Sequence, residues 1–232
     1  METVLAGLQW DTCLICLADV SVFGKSFEDM LKNLSAVFER MQIGGLKLKA
    51  RKCKLLSTEV EYLGHVVSKH GVATDLKKID AVQTWLKPSN VSELHSFLGF
   101  CGYYRRYIAN FSEIARPLHK LTEKEKIFSW SVDCQNAFER LKHCLTTAPV
   151  LAHPDFTKPF ILDADASGTA IGAVLSQVQD DREKVIAFPS RSLTKAERKY
   201  CVTRKELLAV VHFTKYFKHY LSCKRVFGTN RS

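Results

Sequence analysis

The pattern of apolar residues changes near Pro149 and Pro154, and this change limits the folds open to the chain. Before the prolines, apolar side chains recur with the spacing of amphipathic helices, whereas after them they form short runs between turns. The runs predict strands at 160–166, 171–177 and 184–188, then a long helix at 203–221 and a last strand at 224–229. The mixture of helices and strands, with a change of pattern at the prolines, predicts an α+β fold with the domain boundary there.

Helix signals dominate the stretch before the prolines. Ser26 followed by Asp29 predicts the start of one helix, and Asn90 followed by Glu93 predicts the start of another. Further helices are predicted from Thr74 to Pro88, over 112–121 and over 131–145, and strands over 13–23 and 60–68.

The balance of charge favours a polyanionic partner. The chain carries 34 Lys and Arg against 24 Asp and Glu, and residues 153–232 alone hold 14 basic and 8 acidic side chains. The longest apolar run, 13–23, is shorter than the roughly 18 residues needed to span a bilayer, and the first residues do not resemble a signal peptide. These features predict an intracellular protein, cytoplasmic or nuclear, that neither enters a membrane nor is secreted.

Asp19 interrupts that apolar run, where a carboxylate is costly unless it has a ligand or a partner. Several motifs surround it in a defined order: Glu61-Tyr-Leu-Gly-His65, Phe97-Leu-Gly99, Tyr103-Tyr-Arg-Arg-Tyr-Ile108 and Ala115-Arg-Pro-Leu118. Together with the run at 13–23, they resemble the reverse transcriptase of gypsy-class long-terminal-repeat retrotransposons, from the middle of the palm onward.

The last third carries motifs of a different kind, namely Asp163-Ala-Asp-Ala-Ser167, Gly172-Ala-Val-Leu-Ser-Gln177 and Lys205-Glu-Leu-Leu-Ala-Val210. These resemble the RNase H domain of the same elements. The resemblance implies a partial polymerase palm at 1–72, a helical thumb and connection at 73–152 and a truncated RNase H-like mixed sheet at 153–232. It also implies RNA-directed DNA polymerase and RNA–DNA hybrid ribonuclease activities, with the rest of a Pol polyprotein as a partner.

The polymerase motif departs from the family pattern. The palm of the family carries Tyr-x-Asp-Asp, and the matching residues here are Cys16, Leu17, Ala18 and Asp19. Ala18 has no carboxylate to bind magnesium, and the other catalytic Asp of the family is expected upstream of the first residue. Since a two-metal site depends on all its ligands, Asp19 is interpreted as a relic of the polymerase site.

The RNase H motif retains two acidic residues. By resemblance, Asp165 and Glu206 are the first two catalytic ligands of a two-Mg²⁺ site, and Asp163 falls at a variable position. Asn230 stands where the third acid is expected, and an amide is a poor magnesium ligand; the fourth acid is expected beyond the last residue. Alternative roles are a turn residue for Asp165 and, for Glu206, a capping box with Thr203.

Two segments resemble surfaces that follow an RNA/DNA hybrid. One is the basic segment, which consists of Lys47, Lys49, Arg51 and Lys52, and the other is the aromatic segment, residues 103–107, where Tyr104, Arg105 and Arg106 are the predicted contacts. The alternative is a solvated basic face and aromatic core positions. Three hypotheses stay open: an impaired enzyme, a nucleic-acid-binding remnant without catalysis, and a non-functional relic.

Overall fold

A boundary after Leu63 divides the chain into two units, Met1–Leu63 and Gly64–Ser232. The computed structural model describes residues 1–16, 19–123 and 126–222 and the backbone of 226–230. The predicted division into segments 1–72, 73–152 and 153–232 stays a prediction.

The first unit contains a β-hairpin and a long helix. Strands β1 (Cys13–Cys16) and β2 (Asp19–Val22) pair antiparallel, with Cys16 opposite Asp19. Helix α1 (Phe27–Ile43) begins where the Ser26 side chain accepts a hydrogen bond from the Asp29 backbone N–H, as predicted. The small core consists of Leu5, Cys13, Ile15, Val37 and Met41. The predicted single strand over 13–23 is therefore wrong, because the run folds back on itself.

The predicted strand over 60–68 also divides in two. Strand β3 (Glu59–Tyr62) ends before Leu63 and Gly64, which both have positive φ, at 48° and 73°. Strand β4 (His65–Ser68) then pairs antiparallel with β5 (Gly71–Thr74), a strand that the sequence pattern did not indicate.

Helices fill the first part of the second unit. They are α2 (Leu76–Gln83), α3 (Val91–Tyr103), α4 (Phe111–Ile114), α5 (Arg116–Leu121) and α6 (Val132–Thr146). The predicted cap Asn90 accepts a hydrogen bond from the first turn of α3, and Ser131 does the same for α6. Thr74 does not cap α2, because it ends β5, and the cap is Asp75. Large apolar side chains such as Leu94, Phe97 and Phe138 form the core.

A mixed sheet follows the helices. Its elements are β6 (Phe160–Ala166), β7 (Ala170–Gln179), β8 (Arg182–Ala187), β9 (Ser190–Ser192), α7 (Val202–Tyr216), α8 (Lys218–Leu221) and β10 (Val226–Asn230). The strand order is β10-β6-β7-β8, with β9 also on β7; β10 runs parallel to β6 and the other pairs are antiparallel. The expected α+β fold with an RNase H-like mixed sheet is confirmed.

Helix α7 covers one face of this sheet. Ala209 and Phe213 share a core with Phe160, Leu162 and Ala164 of β6. The helix begins after Cys201, and within the described part of the chain no side chain caps its first turn. The capping box suggested for Thr203 and Glu206 is therefore wrong, because Thr203 already lies inside the helix.

Candidate active site and nucleic-acid interface

Asp165 lies near the end of β6, on the sheet face opposite α7. Side chains alternate along a strand, and since Leu162 and Ala164 face α7, Asp163 and Asp165 face the other way. Asp165 is exposed and borders a shallow depression. The depression is lined by residues from β6, β7, β9 and the start of α4, among them Asn110, Glu113, Ser167, Gly172 and Ser190.

The floor of the depression is closely packed. Gly172 lies directly opposite Asp165 in the sheet, and a Cβ atom at Gly172 would lie 2.6 Å from the Asn110 Oδ1 atom. A larger residue would displace the Asn110 side chain, which explains the glycine. Beside it, the buried Ser190 hydroxyl lies 3.0 Å from the Ser112 hydroxyl and accepts a hydrogen bond from the Ser112 backbone N–H. These contacts fix the helical part against the strands around Asp165.

Glu206 lies at the start of α7, near the same end of β6. It precedes Ala209 by three residues, so it shares the helix face that packs on the sheet. The neighbouring Lys205 ammonium donates a hydrogen bond of 3.5 Å to the Gly168 carbonyl, which anchors this first turn beside the loop after β6. Asp165 and Glu206 therefore lie near the same end of β6. Asp165 is on the sheet face opposite α7, and Glu206 is on the face that α7 covers.

Strand β10 brings position 230 to this end of the sheet. Its parallel register pairs Thr229 with Asp163 and Asn230 with Ala164, the residue before Asp165. The backbone thus places position 230 next to the strand that carries Asp165. The residue there is an asparagine.

Asp165 and Glu113 are the acidic residues that line the depression. Among the residues that the structure describes, no three His, Cys, Asp or Glu side chains are grouped so that they could hold a metal ion. Magnesium favours several oxygen ligands that carry charge. The assignment of Asp165 and Glu206 as metal ligands stays a prediction.

Asp19 occupies an exposed position at the start of β2. The pKa of the nearby Tyr62 hydroxyl is raised, first by burial and then by the charges of Cys16 and Asp19. Ala18, at the position of the missing polymerase carboxylate, lies outside the described residues.

The basic segment is exposed along its whole length. Arg51 and Lys52 form a 3-10 turn, and the neighbouring Lys54 is paired with Glu61 at 3.0 Å. Lys47, Lys49, Arg51 and Lys52 make no ion pair with any residue that the structure describes. Their charges are therefore available to a phosphate backbone.

The aromatic segment lies mostly inside the second unit. Tyr104 is 1% exposed, and its hydroxyl donates to the Gly64 carbonyl at 2.7 Å. Tyr107 is 2% exposed and shares a 3.0 Å hydrogen bond with His65 Nδ1. Burial raises the pKa of both phenols to about 12. The prediction that Tyr104 contacts nucleic acid is wrong, because its ring is packed in the core.

The two arginines of this segment bind backbone carbonyls of the sheet. Arg105 donates to the Ser190 carbonyl at 2.6 Å and lies over the Phe111 ring, and Arg106 reaches the Ile186 carbonyl at 3.5 Å. In return, the Arg106 carbonyl accepts a hydrogen bond from the Phe188 N–H. Both residues keep exposed surface, so their contact with nucleic acid stays a prediction.

Sequence reasoning did not single out His65. Its ring stacks against Tyr103 and Tyr107, with centroids 5.3 and 5.7 Å away. Burial lowers the pKa of His65, and the charges of Arg106 and Lys78 lower it further. A histidine after a turn glycine carries no local signal for such a contact, since Tyr103 follows almost forty residues later.

Comparison with known proteins identifies relatives over nearly the whole chain. Residues 130–227 match the family described as the RNase H-like domain found in reverse transcriptase. The chain is 38% identical over 222 residues to the retrovirus-related Pol polyprotein from transposon 297 of Drosophila melanogaster, and 32% identical over 222 residues to the transposon Tf2-3 polyprotein of Schizosaccharomyces pombe. Each match covers 95% of the chain, but only 21% and 17% of those polyproteins.

Solved structures share the fold. The foamy viral protease-reverse transcriptase dRH in complex with double-stranded DNA matches 99% of the chain with a TM-score of 0.84 and 22% identity, over 40% of its own length. The foamy viral protease-reverse transcriptase in complex with an RNA/DNA hybrid matches with a TM-score of 0.81 and 23% identity, over 31% of its own length. No helix in the described ranges is long and apolar enough to cross a membrane. Residues 130–227 therefore match the RNase H-like domain found in reverse transcriptase, and the chain as a whole is similar to one part of the Pol polyproteins of retrotransposons.

Proposed function

We propose that the chain is a gypsy-class reverse transcriptase/RNase H segment that binds an RNA/DNA hybrid inside the cell and has lost most catalytic activity. The observation that carries this proposal is the pairing of Asn230 with Ala164, beside Asp165. A neutral amide at that position weakens a magnesium site, whereas the exposed basic segment keeps four cations without ion pairs to described residues. Complexes of the foamy viral enzyme with double-stranded DNA and with a hybrid support this substrate class.

The polymerase half of the proposal depends on Ala18. The carboxylate that the family places there is replaced by a methyl group, and electrostatic stabilisation by metal ligands is the largest single catalytic contribution in such sites. We therefore expect no primer extension by the purified chain with Mg²⁺ and deoxynucleotides.

A cleavage and binding experiment tests the proposal. A labelled RNA/DNA hybrid is incubated with the wild-type chain and with Asp165→Asn in Mg²⁺, and binding is followed by fluorescence anisotropy over a range of salt concentrations. We expect binding that weakens steeply with salt and cleavage at the background rate for both proteins. Mg²⁺-dependent cleavage that Asp165→Asn abolishes would show an intact nuclease and contradict the claimed loss.

The experiment also addresses the relic hypothesis. A chain that no longer folds would bind weakly and give no cooperative thermal transition. A cooperative transition together with salt-independent or absent hybrid binding would instead reject nucleic-acid binding while leaving the fold intact.

A further inference from the structure

A second cationic surface lies between β9 and α7, outside the segments considered so far. Five basic residues stand between Thr194 and Glu206, namely Lys195, Arg198, Lys199, Arg204 and Lys205. Glu197 is the one acid within this stretch, and its two carboxylate oxygens accept hydrogen bonds of 3.0 Å each from the Arg191 guanidinium. The internal pair neutralises that acid, so the surface itself is strongly positive.

Most of the cations of this surface are exposed. Arg198, Lys199 and Arg204 are exposed and form no ion pair within the described ranges. The one acid of this stretch is paired with Arg191, so it does not neutralise these exposed cations. Their charges are therefore available to an anionic partner.

Tyr200 adds a stacking element in the middle of the cations. Its side chain is 39% exposed, and the Arg204 guanidinium carbon lies 5.5 Å from its ring centroid. Aromatic rings flanked by arginine form platforms on which unpaired bases stack, and the neighbouring cations hold the phosphates. Tyr104 and Tyr107 are buried and cannot serve in this way, whereas the Tyr200 ring is accessible.

The platform is held in a fixed turn. The Glu197 carboxylate also accepts the Thr194 backbone N–H at 2.8 Å, and the Tyr200 N–H donates to the Glu197 carbonyl at 3.0 Å. Arg198 donates through Nε to the Leu193 carbonyl at 3.1 Å. These bonds pre-order the turn, so binding does not have to order it first.

The turn leads directly to the candidate active site. Arg204 and Lys205 precede Glu206, and Lys205 reaches the Gly168 carbonyl in the loop that follows β6 and Asp165. A strand lying across Tyr200 would therefore pass close to the end of β6.

We propose that Tyr200 and Arg204 bind a single-stranded stretch of nucleic acid, one base stacking on the tyrosine ring while Arg198, Lys199 and Arg204 contact its phosphates. This inference rests on the proposed function and extends it from the hybrid to an unpaired strand. Bases inside a duplex already stack on each other, so an accessible ring surrounded by cations fits an unpaired base better than a paired one.

Anisotropy titration of the full chain with labelled single strands of about 12 nucleotides, one of DNA and one of RNA, tests the proposal. Tyr200→Ala is expected to raise the Kd for the single strand roughly tenfold, whereas Tyr200→Phe, which keeps the ring, should change it less than about twofold. Arg204→Ala should also weaken binding and lower the salt dependence by about one phosphate contact. A preference between the DNA and RNA arms would tell which strand the platform accepts.

Lys215→Ala provides the matched control, because it removes one exposed cation from the far end of the same helix. If Tyr200→Ala and Lys215→Ala change the single-strand Kd equally, or if a polyglutamate peptide competes as well as an unlabelled oligonucleotide, the platform does not exist. A blunt RNA/DNA hybrid is titrated in parallel. If the platform prediction fails but the wild type still binds the hybrid, only this inference is rejected and the proposed function stands. If the wild type does not bind the hybrid, the proposed function is rejected.

Discussion

The basic segment and the aromatic segment look equally suited to nucleic acid in the sequence, yet they occupy opposite environments. The four cations of the basic segment are exposed, whereas Tyr104 and Tyr107 are almost fully buried and Arg105 and Arg106 bind carbonyls of the sheet. Interleaved aromatic and basic residues thus stabilise an internal junction in one segment, while a plain run of cations stays open to solvent in the other. Residue type alone does not separate a binding surface from a core; burial does.

The largest expected effect concerns Tyr104. Replacement by alanine removes a fully buried ring and its hydrogen bond to the Gly64 carbonyl, so Tyr104→Ala should lower the free energy of unfolding by about 3–5 kcal/mol. Tyr103→Ala is the matched control, since this neighbour is 52% exposed and should cost about 1 kcal/mol. Urea titration monitored by circular dichroism measures both values. Equal losses for the two variants would mean that Tyr104 is not a core residue.

Neutralising the basic segment should affect binding rather than folding. Combined alanine substitution of its four cations is expected to raise the hybrid Kd roughly tenfold at low salt and to reduce the salt slope by about 0.9 for each phosphate that is no longer neutralised. The control removes the same charge elsewhere, through alanine at the exposed Lys32, Lys69, Lys215 and Lys218. Equal weakening in both variants would mean that the basic segment contributes to binding only through its share of the net positive charge.

Substitution of Arg105 tests at one position whether an arginine of the aromatic segment stabilises the fold or binds phosphates. Arg105→Ala removes a 2.6 Å hydrogen bond to the Ser190 carbonyl and the interaction with the Phe111 ring. We expect a loss of about 1–2 kcal/mol in the free energy of unfolding. A lower salt slope with unchanged stability would instead place Arg105 among the residues that bind phosphates.

Much of this fold follows from local signals in the sequence. The caps Ser26 and Asn90 could be predicted because a cap depends on residues three positions apart. Strand 160–166 was predicted with the bounds of β6, since a short apolar run begins it and turn residues follow it. The breaks within 13–23 and 60–68 could not be predicted, because neither stretch contains proline and only the second contains glycine, at Gly64.

The candidate site was less accessible to such reasoning. Asp165 and Glu206 were assigned through family motifs, whereas the sheet faces that they occupy depend on long-range pairing. Asn110 and Glu113 carry no motif, yet α4 places them beside Asp165. The burial of Tyr104 has the same origin, because its partner Gly64 lies 40 residues away.

The smallest expected effect is a pH dependence that originates in His65, whose ring packs against the tyrosines of the aromatic segment. His65 faces Tyr103, Tyr104 and Tyr107, and burial, Arg106 and Lys78 lower its pKa. The unfolded chain, with an ordinary histidine pKa of about 6.5, therefore binds a proton more readily than the folded chain. The stability that neutral His65 contributes is complete above the unfolded pKa and is lost as the pH falls through the folded value.

Unfolding free energies measured from about pH 7.5 to about 5 in wild type and His65→Gln test this dependence. The wild type should lose stability on acidification, and His65→Gln should lose less. Some loss should remain in His65→Gln, because burial also lowers the pKa of His119 and His212. His70→Gln, at an exposed position, is the control and should follow the wild type. Parallel pH curves for wild type and His65→Gln would show that packing against the tyrosines does not disfavour protonation of His65. The contacts between His65 and the aromatic segment would then contribute to stability through packing alone.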